Sequence, residues 1–481
     1  MLSKYVAIFL FGLFGCGGES QNNSQIQEAW HVSSDPIVMI RGDMYQLDLA
    51  SLPLTGEVAK APWSGYYWPS YKGGIAYRWQ LGYDQAGFDY DVLTTEQAKA
   101  LNENQDLAMI LSPAEKYDLL NNDYQFTTVK AEKDRTRILF ALDNQLDIPT
   151  WEGLCHAWAP ATLDLSNPAP VALTNEDGVS IPFGSSDVKA LITLATHDAM
   201  MANELTSQMS GLRCNLNFED LYRVERVAER MVQEIESLPE IKRDAVVVIL
   251  NESRSQIEKL DLYYFSFQVN WLLDRLAYSY IDNSIDYKLD EFREDLKRNG
   301  PQSLACRDVN AGSFHLILTN LLGQQGKGFI VDMTRDLEVW NQPVVSFQSD
   351  VVQTYAFEDF DTLKTELNLP LERQMNPAAT SAVLVQTELQ VVSEIGPQFA
   401  MSETNNLMSL YYEYYLELDK DGLIVGGTWV ESEFFNSGAR PDFLWTSTVP
   451  DFVGQDSLTG AIFRASVACA KGKPLANSEC L

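Results

Sequence analysis

Histidine is scarce in this chain, with four among 481 residues. They are His31, His156, His197 and His315. Imidazole is the side chain that most often moves protons near neutral pH. Any catalytic histidine must therefore be one of these four residues.

Basic residues are also few, since 35 Lys and Arg stand against 67 Asp and Glu, for a formal net charge of −32. Such a surface repels nucleic acid and anionic lipid, and it attracts cations, amines and basic proteins. A solubilising acidic coat explains this charge more simply than a charge-driven function. The composition therefore argues against nucleic acid as a partner.

Long apolar runs are missing too, because none approaches the roughly 20 residues of a membrane-spanning helix. The run from Tyr5 to Phe14 is short, and Cys16 follows it closely. This pattern predicts a bacterial lipoprotein signal over residues 1–15, with an ordinary secretory signal as the alternative. Lipidated Cys16 would then anchor an exported protein to a membrane. Gly17 after the cysteine favours the outer membrane of a Gram-negative cell.

The polar residues 16–30 suit a tether between this anchor and a folded body. The remainder is long enough for two domains. We expect a catalytic domain over residues 31–350, interrupted by a helical insertion at 218–300, and a β-rich region over 351–481. The insertion shows apolar residues at three- and four-residue intervals in three segments, which indicates three amphipathic helices. The predicted fold class is α+β.

Five cysteines, an odd number, remain once Cys16 is set aside. Export places the chain where disulfides persist, so an odd count leaves one thiol free. Cys469 and Cys480 close a short loop and are expected to pair. Cys214 and Cys306 flank the insertion in polar surroundings and are expected to form a second disulfide. The remaining Cys155 lies among apolar residues and is the candidate for the free thiol.

The segment around Cys155, "PTWEGLCHAWAPATL", predicts a short buried helix that begins near this cysteine. Pro149 and Gly153 disfavour helix before Cys155, and Pro160 is expected to bend or end it. A thiol at a helix N-terminus becomes a nucleophile when the dipole or an imidazole lowers its pKa. Adjacent His156 points about 100° away along the helix and cannot readily supply that imidazole.

His315 is the preferred partner of the thiol. It opens the first apolar run of a predicted hairpin, and Asp332 lies 17 residues later on the returning run. Antiparallel strands could place the carboxylate beside the imidazole and fix its tautomer. His31 follows the tether, and His197 lies on an apolar helix, so neither is favoured. We therefore expect a cysteine helix packed on antiparallel strands that carry His315 and Asp332.

Several segments together are similar to a known family. "WEGLCHAWAPA", "VSIPFGSSDVKAL", "CRDVNAGSFHLILTN", "VDMTRDLEVWNQPV" and "PWSGYYWPSYKGG" resemble the transglutaminase elicitor family, known from oomycete plant-pathogen cell-wall proteins. The resemblance spans about residues 31–347 and, more weakly, "DGLIVGGTWVE". "VWNQPV", residues 339–344, looks like the first half of the surface peptide by which plants detect the oomycete proteins, but the likeness lapses soon afterwards.

The resemblance implies a protein-glutamine γ-glutamyltransferase with a Cys-His-Asp triad. Cys155 would attack a glutamine side chain of a protein substrate, His315 would act as base and acid, and Asp332 would orient His315. A lysine or polyamine would then take the acyl group. The oxyanion would accept from the Cys155 N–H and from the indole of Trp151 or Trp158. The resemblance also implies calcium, for which the sequence indicates no ligands; the chemistry itself requires no cofactor.

Two other functions compete with this interpretation. A cysteine peptidase or amidase could use the same triad, with water in place of the amine as the group that reaches the thioester. A non-catalytic surface-binding lipoprotein would have Cys155 bonded to another cysteine or merely buried. Both alternatives keep the protein exported.

Overall fold

The structure is a computed structural model that describes residues 34–40, 45–78, 87–143, 148–212, 218–258, 266–282, 287–299, 309–333, 338–356, 376–397, 399, 406–430, 440–454 and 456–481. Its α-helices in chain order are α1 Thr95–Lys99, α2 Gln105–Ile110, α3 Pro113–Leu120, α4 Thr127–Arg135, α5 Ile138–Asp143, α6 Cys155–Asp164, α7 Ser185–Met201, α8 Phe218–Glu236, α9 Arg243–Glu258, α10 Ser266–Ser279, α11 Leu289–Asn299, α12 Ala311–Ile317 and α13 Leu458–Ala470. Its strands are β1 Thr55–Glu57, β2 Val171–Thr174, β3 Ser180–Phe183, β4 Ser207–Gly211, β5 Phe329–Asp332, β6 Asn341–Ala356, β7 Ser381–Val392, β8 Leu407–Leu418, β9 Ile424–Trp429, β10 Phe443–Ser447 and β11 Ser478–Cys480.

One large antiparallel sheet organises the molecule. Its strands follow the order β4-β10-β5-β6-β7-β8-β9, and β1 pairs with β6 beyond the end of β5. This confirms the α+β class and the strand-rich C-terminal part. Strand β6 crosses residue 350 and pairs with β5 and β7. The expected boundary between 31–350 and 351–481 therefore runs through a single sheet.

The two faces of this sheet cover different hydrophobic cores, because successive side chains of a strand point to opposite faces. Ile330, Val345 and Trp445 belong to one core, which also holds the buried residues of α6 and α7. Val331, Val344 and Leu444 belong to the other, which α12 fills. Helix α6 packs against β5 and β6, whereas α12 packs against β8 and β9. Helices α6 and α12 thus lie on opposite faces of the sheet.

Local sequence explains the helix that carries Cys155. Helix α6 begins at Cys155, as expected, and it runs through Pro160 to Asp164. Of the two expected effects of Pro160, ending the helix is excluded, and bending it stays a prediction. Most residues of α6 are buried, Cys155 and Trp158 among them.

The described residues of the insertion contain four helices, α8 to α11, rather than the three expected. The additional helix is α11, in which Leu289, Phe292 and Leu296 recur at helical spacing on an otherwise charged segment. Apolar residues of all four helices form one shared core. Within the described ranges, no helix combines the length and apolar character needed to cross a membrane.

A small antiparallel sheet has the strand order β11-β2-β3. Its strand β11 contains one cysteine of the disulfide that the described residues form. Cys469 at the end of α13 is bonded to Cys480 in β11, which confirms this pairing. Cys155 is a free, buried thiol, again as expected. The expected roles of Cys16, Cys214, Cys306 and His31 fall on residues outside the described ranges.

Candidate active site

The start of α6 is held against an irregular aromatic segment, residues 62–78. The Leu154 backbone N–H donates to the Tyr67 carbonyl at 2.6 Å. Gly153 passes so close that a Cβ there would come within 2.5 Å of the same oxygen. A side chain at position 153 would therefore push the helix start away from the segment, which explains why glycine stands directly before "LC".

The Cys155 thiol contacts the beginning of β6. Asn341 Nδ2 donates to Cys155 Sγ at 3.5 Å, and the thiol faces the Val339 carbonyl at 3.6 Å. The Trp445 indole N–H donates to Asn341 Oδ1 at 2.8 Å, so the amide orientation is fixed from the neighbouring part of the sheet. Cys155 is 4 % exposed and Asn341 3 %. The sulfur is consequently enclosed between a helix terminus and a primary amide.

Two carboxylates flank this thiol. Burial raises the pKa of Cys155, Asn341 opposes that rise by hydrogen bonding, and the negative charges of Glu394 and Asp332 add to it. Asp332 ends β5 in register with Asn341 and accepts from the Trp340 backbone N–H at 2.9 Å. The thiol is therefore protonated at neutral pH and has an acidic side chain, fully buried, as its neighbour.

Aromatic rings form the outer part of the site. Trp340 lies between Val339 and Asn341, which both contact the thiol, and its ring packs edge-on against Tyr67 with centroids 5.5 Å apart. Both rings are half-buried. Of residues 339–344, which the sequence compares with a surface peptide, the first three border the site, and residues 341–344 belong to β6, where Asn341, Gln342 and Val344 are buried.

His315 does not join Cys155, and this corrects the predicted triad. His315 lies on α12 rather than on a strand, and it is fully buried in the core on the opposite face of the sheet. Its Nδ1 is 2.8 Å from the Tyr414 hydroxyl, which is 2.8 Å from Thr387 Oγ1. Burial lowers the pKa of His315 to about 3. The imidazole is therefore neutral and part of a buried polar chain.

The assignment of His315 to a strand was wrong for a physical reason. Residues 311–322 are enclosed by protein on all sides, so the run is apolar around the whole helix. The sequence of such a helix shows no 3.6-residue period of apolar residues, so its pattern is the same as that of a buried strand. Only the returning half of the predicted hairpin, which became β5 with Asp332, is a strand.

The pair His156 and His197 forms a second buried polar contact on the other side of α6. His156 Nε2 is 2.9 Å from His197 Nδ1. Burial lowers the pKa of His156 to about 3 and that of His197 to about 4. His156 thus bonds to α7 instead of the neighbouring thiol, and His197 is a half-buried residue that bonds to His156.

Trp151 and Trp158 were the candidate indole donors to an oxyanion. Trp158 is fully buried, and its indole nitrogen lies against Gly65, where a Cβ would collide with it. Trp151 lies half-buried in the turn before α6. The structure instead shows Asn341 Nδ2 at the sulfur, and nothing in the sequence distinguished this amide from the other asparagines. The oxyanion role of Trp151 and Trp158 stays a prediction.

No group of three or more His, Cys, Asp or Glu side chains comes together as a metal site in the part of the chain that the structure describes. The calcium that the resemblance implied stays a prediction, and no step below is derived through it.

A matched substitution tests the structural role of His315. We expect His315→Asn to leave any activity that depends on Cys155 within severalfold of the wild type, because Asn Oδ1 can keep the Tyr414 contact and Cys155 lies across the sheet. The folded pKa of His315, about 3, lies below its ordinary 6.5. The stabilisation that the neutral, buried imidazole gives to the folded state is therefore complete above pH 6.5 and is lost as the pH falls towards 3. Between pH 6 and 4 the variant should lose about 2 kcal/mol less stability than the wild type.

Denaturant unfolding at pH 7, 6, 5 and 4 measures this difference. Identical pH dependence for the two proteins would contradict the neutral, buried state of His315. A loss of activity of a thousandfold or more, with the fold retained, would instead return His315 to the catalytic site.

Both the sequence and the fold of this chain are similar to those of known proteins. The model of the transglutaminase elicitor family matches residues 40–223 and 287–456, so the unmatched interval falls within the insertion. No curated protein sequence matches the chain. The fold is similar to the crystal structure of the GP42 transglutaminase from Phytophthora sojae, with a TM-score of 0.51 and 20% sequence identity over 91% of this chain and 98% of that chain. At this identity the likeness concerns the fold. Since the family model matches most of the sequence, the chain belongs to the transglutaminase elicitor family.

Proposed function

We propose that this protein is a transglutaminase, a protein-glutamine γ-glutamyltransferase, that uses Cys155 as its nucleophile. The observation that carries the proposal is the free thiol at the first residue of α6, held by the Asn341 amide and flanked by the buried Asp332. Family membership and the transglutaminase-like fold support the same activity class.

The first half-reaction forms a thioester. Cys155 attacks the γ-carboxamide carbon of a substrate glutamine, and the thiol proton passes to Asp332, which replaces His315 as the base in this proposal. The Cys155 backbone N–H, which a helix leaves unsatisfied at its first turn, and Asn341 Nδ2 donate to the developing oxyanion. Asp332 returns the proton to the leaving nitrogen, and ammonia departs.

The second half-reaction transfers the acyl group. A primary amine attacks the thioester carbonyl, the C–N bond forms, and the C–S bond breaks. The departing thiolate takes up a proton that the amine releases. A lysine side chain gives an isopeptide crosslink, a free polyamine gives an adduct, and water gives glutamate.

The test uses one incubation with a glutamine-bearing acceptor protein and a biotinylated primary amine. We expect ammonia release and biotin incorporation at glutamine. Ammonia release with glutamate as the sole product would assign an amidase, and peptide-bond cleavage would assign the peptidase. A protein that releases no ammonia and cleaves nothing would support the surface-binding alternative.

We also propose export with lipidation at Cys16, on the sequence pattern alone. Metabolic labelling with a fatty acid, in the native chain and in Cys16→Ser, tests it. Loss of the label in the variant supports the anchor, whereas an unlabelled native chain argues for ordinary secretion.

A further inference from the structure

A second carboxylate at the thiol has no part in the chemistry above. Glu394 follows β7, and the Gln342 side-chain N–H donates to its Oε1 at 2.7 Å. Gln342 follows Asn341 in β6, so this hydrogen bond holds Glu394 at the start of that strand. The next residue, Ile395, donates its backbone N–H to the Gly65 carbonyl at 2.8 Å. Glu394 is thus fixed between the start of β6 and the aromatic segment.

The surroundings of Glu394 suit a cation. The hydrogen bonds from Gln342 and from Ile395 to Gly65 hold Glu394 between the start of β6 and the aromatic segment, and its charge raises the pKa values of the Cys155 thiol and the Tyr67 hydroxyl. The side chain is half-buried, and among the described residues no Lys or Arg forms an ion pair with it. Burial removes part of the hydration of this carboxylate, and without a cation the hydrogen bond from Gln342 offsets that loss only in part. An incoming ammonium would supply that missing charge.

The rings beside it add a second attraction. Tyr67 and Trp340 are half-buried and meet edge to face, so part of their ring surface remains accessible. An alkylammonium is attracted both by aromatic faces and by a carboxylate. The net charge of −32 would also raise the local concentration of amines.

We propose that Glu394, together with Tyr67 and Trp340, forms the subsite that binds the primary ammonium of the acyl acceptor. The inference rests on the proposed function, since it requires a thioester at Cys155. Bound ammonium gives one proton to the Glu394 carboxylate, and the neutral amine then attacks the thioester. The thiolate that departs takes the second proton. Glu394 therefore determines whether the acyl group reaches an amine or water.

The experiment compares Glu394→Gln with the matched control Glu388→Gln. Glu388 is another half-buried carboxylate on β7, where it accepts from the hydroxyls of Ser409 and Tyr411. Each full-length protein receives a glutamine peptide with either cadaverine, which is cationic, or hydroxylamine, which is largely uncharged at neutral pH. The readout is the ratio of amine product to glutamate formed from the same thioester. This ratio does not depend on how much of the protein is folded.

We expect Glu394→Gln to lower the cadaverine-to-water ratio about tenfold at limiting amine, as loss of a charge-assisted contact implies. Its hydroxylamine-to-water ratio should stay within twofold of the wild type. Glu388→Gln should change neither ratio, and Glu394→Asp should recover part of the cadaverine preference.

The two hypotheses fail in distinguishable ways. Normal ammonia release with an unchanged cadaverine ratio in Glu394→Gln would overturn the subsite and leave the proposed function standing. Equal losses for cadaverine and hydroxylamine would also overturn it, because they would indicate a general defect in deacylation. A wild type that releases no ammonia would overturn the proposed function and the subsite together.

Discussion

Cys155→Ala is expected to lower both ammonia release and amine incorporation by at least about a thousandfold, since no other group can carry the acyl intermediate. The thiol is buried, so its removal leaves a small void that should cost about 1 kcal/mol. The loss of activity should therefore occur in a folded protein. Mass spectrometry of the trapped thioester and the ammonia assay measure the effect, and thermal unfolding monitors the fold.

Ser466→Ala is the matched control for this change. It removes a small, fully buried polar group from α13, a helix that packs against α7 and the small sheet. We expect it to retain activity. Substantial ammonia release by folded Cys155→Ala would show that the reaction uses another nucleophile.

Asp332→Asn should lower turnover by about 10² to 10⁴, the usual range for the loss of a general base. The pKa of the Cys155 thiol should fall together with turnover. Asp332 raises that pKa through its negative charge, so the uncharged amide allows the thiolate to form at lower pH. The Asn oxygen can still accept from the Trp340 backbone N–H, which preserves the turn.

Alkylation of Cys155 by iodoacetamide across pH 6 to 10 reports the thiol pKa, and ammonia release reports turnover. Asp350→Asn provides the control, since Asp350 is an exposed carboxylate on β6. Unchanged turnover in Asp332→Asn would assign the base elsewhere. A thiol that alkylates only at higher pH than in the wild type would contradict the proximity of Asp332.

Much of the site could be predicted from local sequence. The breakers Pro149 and Gly153 placed Cys155 at a helix start, and the parity of the cysteines left it as the free thiol. Asp332 ends a strand on the face that covers α6, as the run "GFIVD" allowed. These features depend on residues close together in the chain, where propensity and side-chain period carry the information.

The other half of the site depends on contacts across the fold. Asn341, Trp445 and Glu394 meet Cys155 or its neighbours through separations of 50 residues or more, and amides and indoles have no distinctive spacing in a sequence. His315 was misassigned for a related reason, because its helix is buried on every side. A scarce histidine between apolar residues looked like a catalytic base, whereas the fold uses it to bond with Tyr414.

The helical insertion has a consequence for the history of the chain. Helices α8 to α11 bury their apolar residues in a core of their own, and the family pattern stops at residue 223 and resumes at 287. An element that buries its own hydrophobic residues can be acquired or lost by a lineage without exposing the two cores of the large sheet. Related proteins should therefore vary in this segment far more freely than in the strands that surround the cysteine.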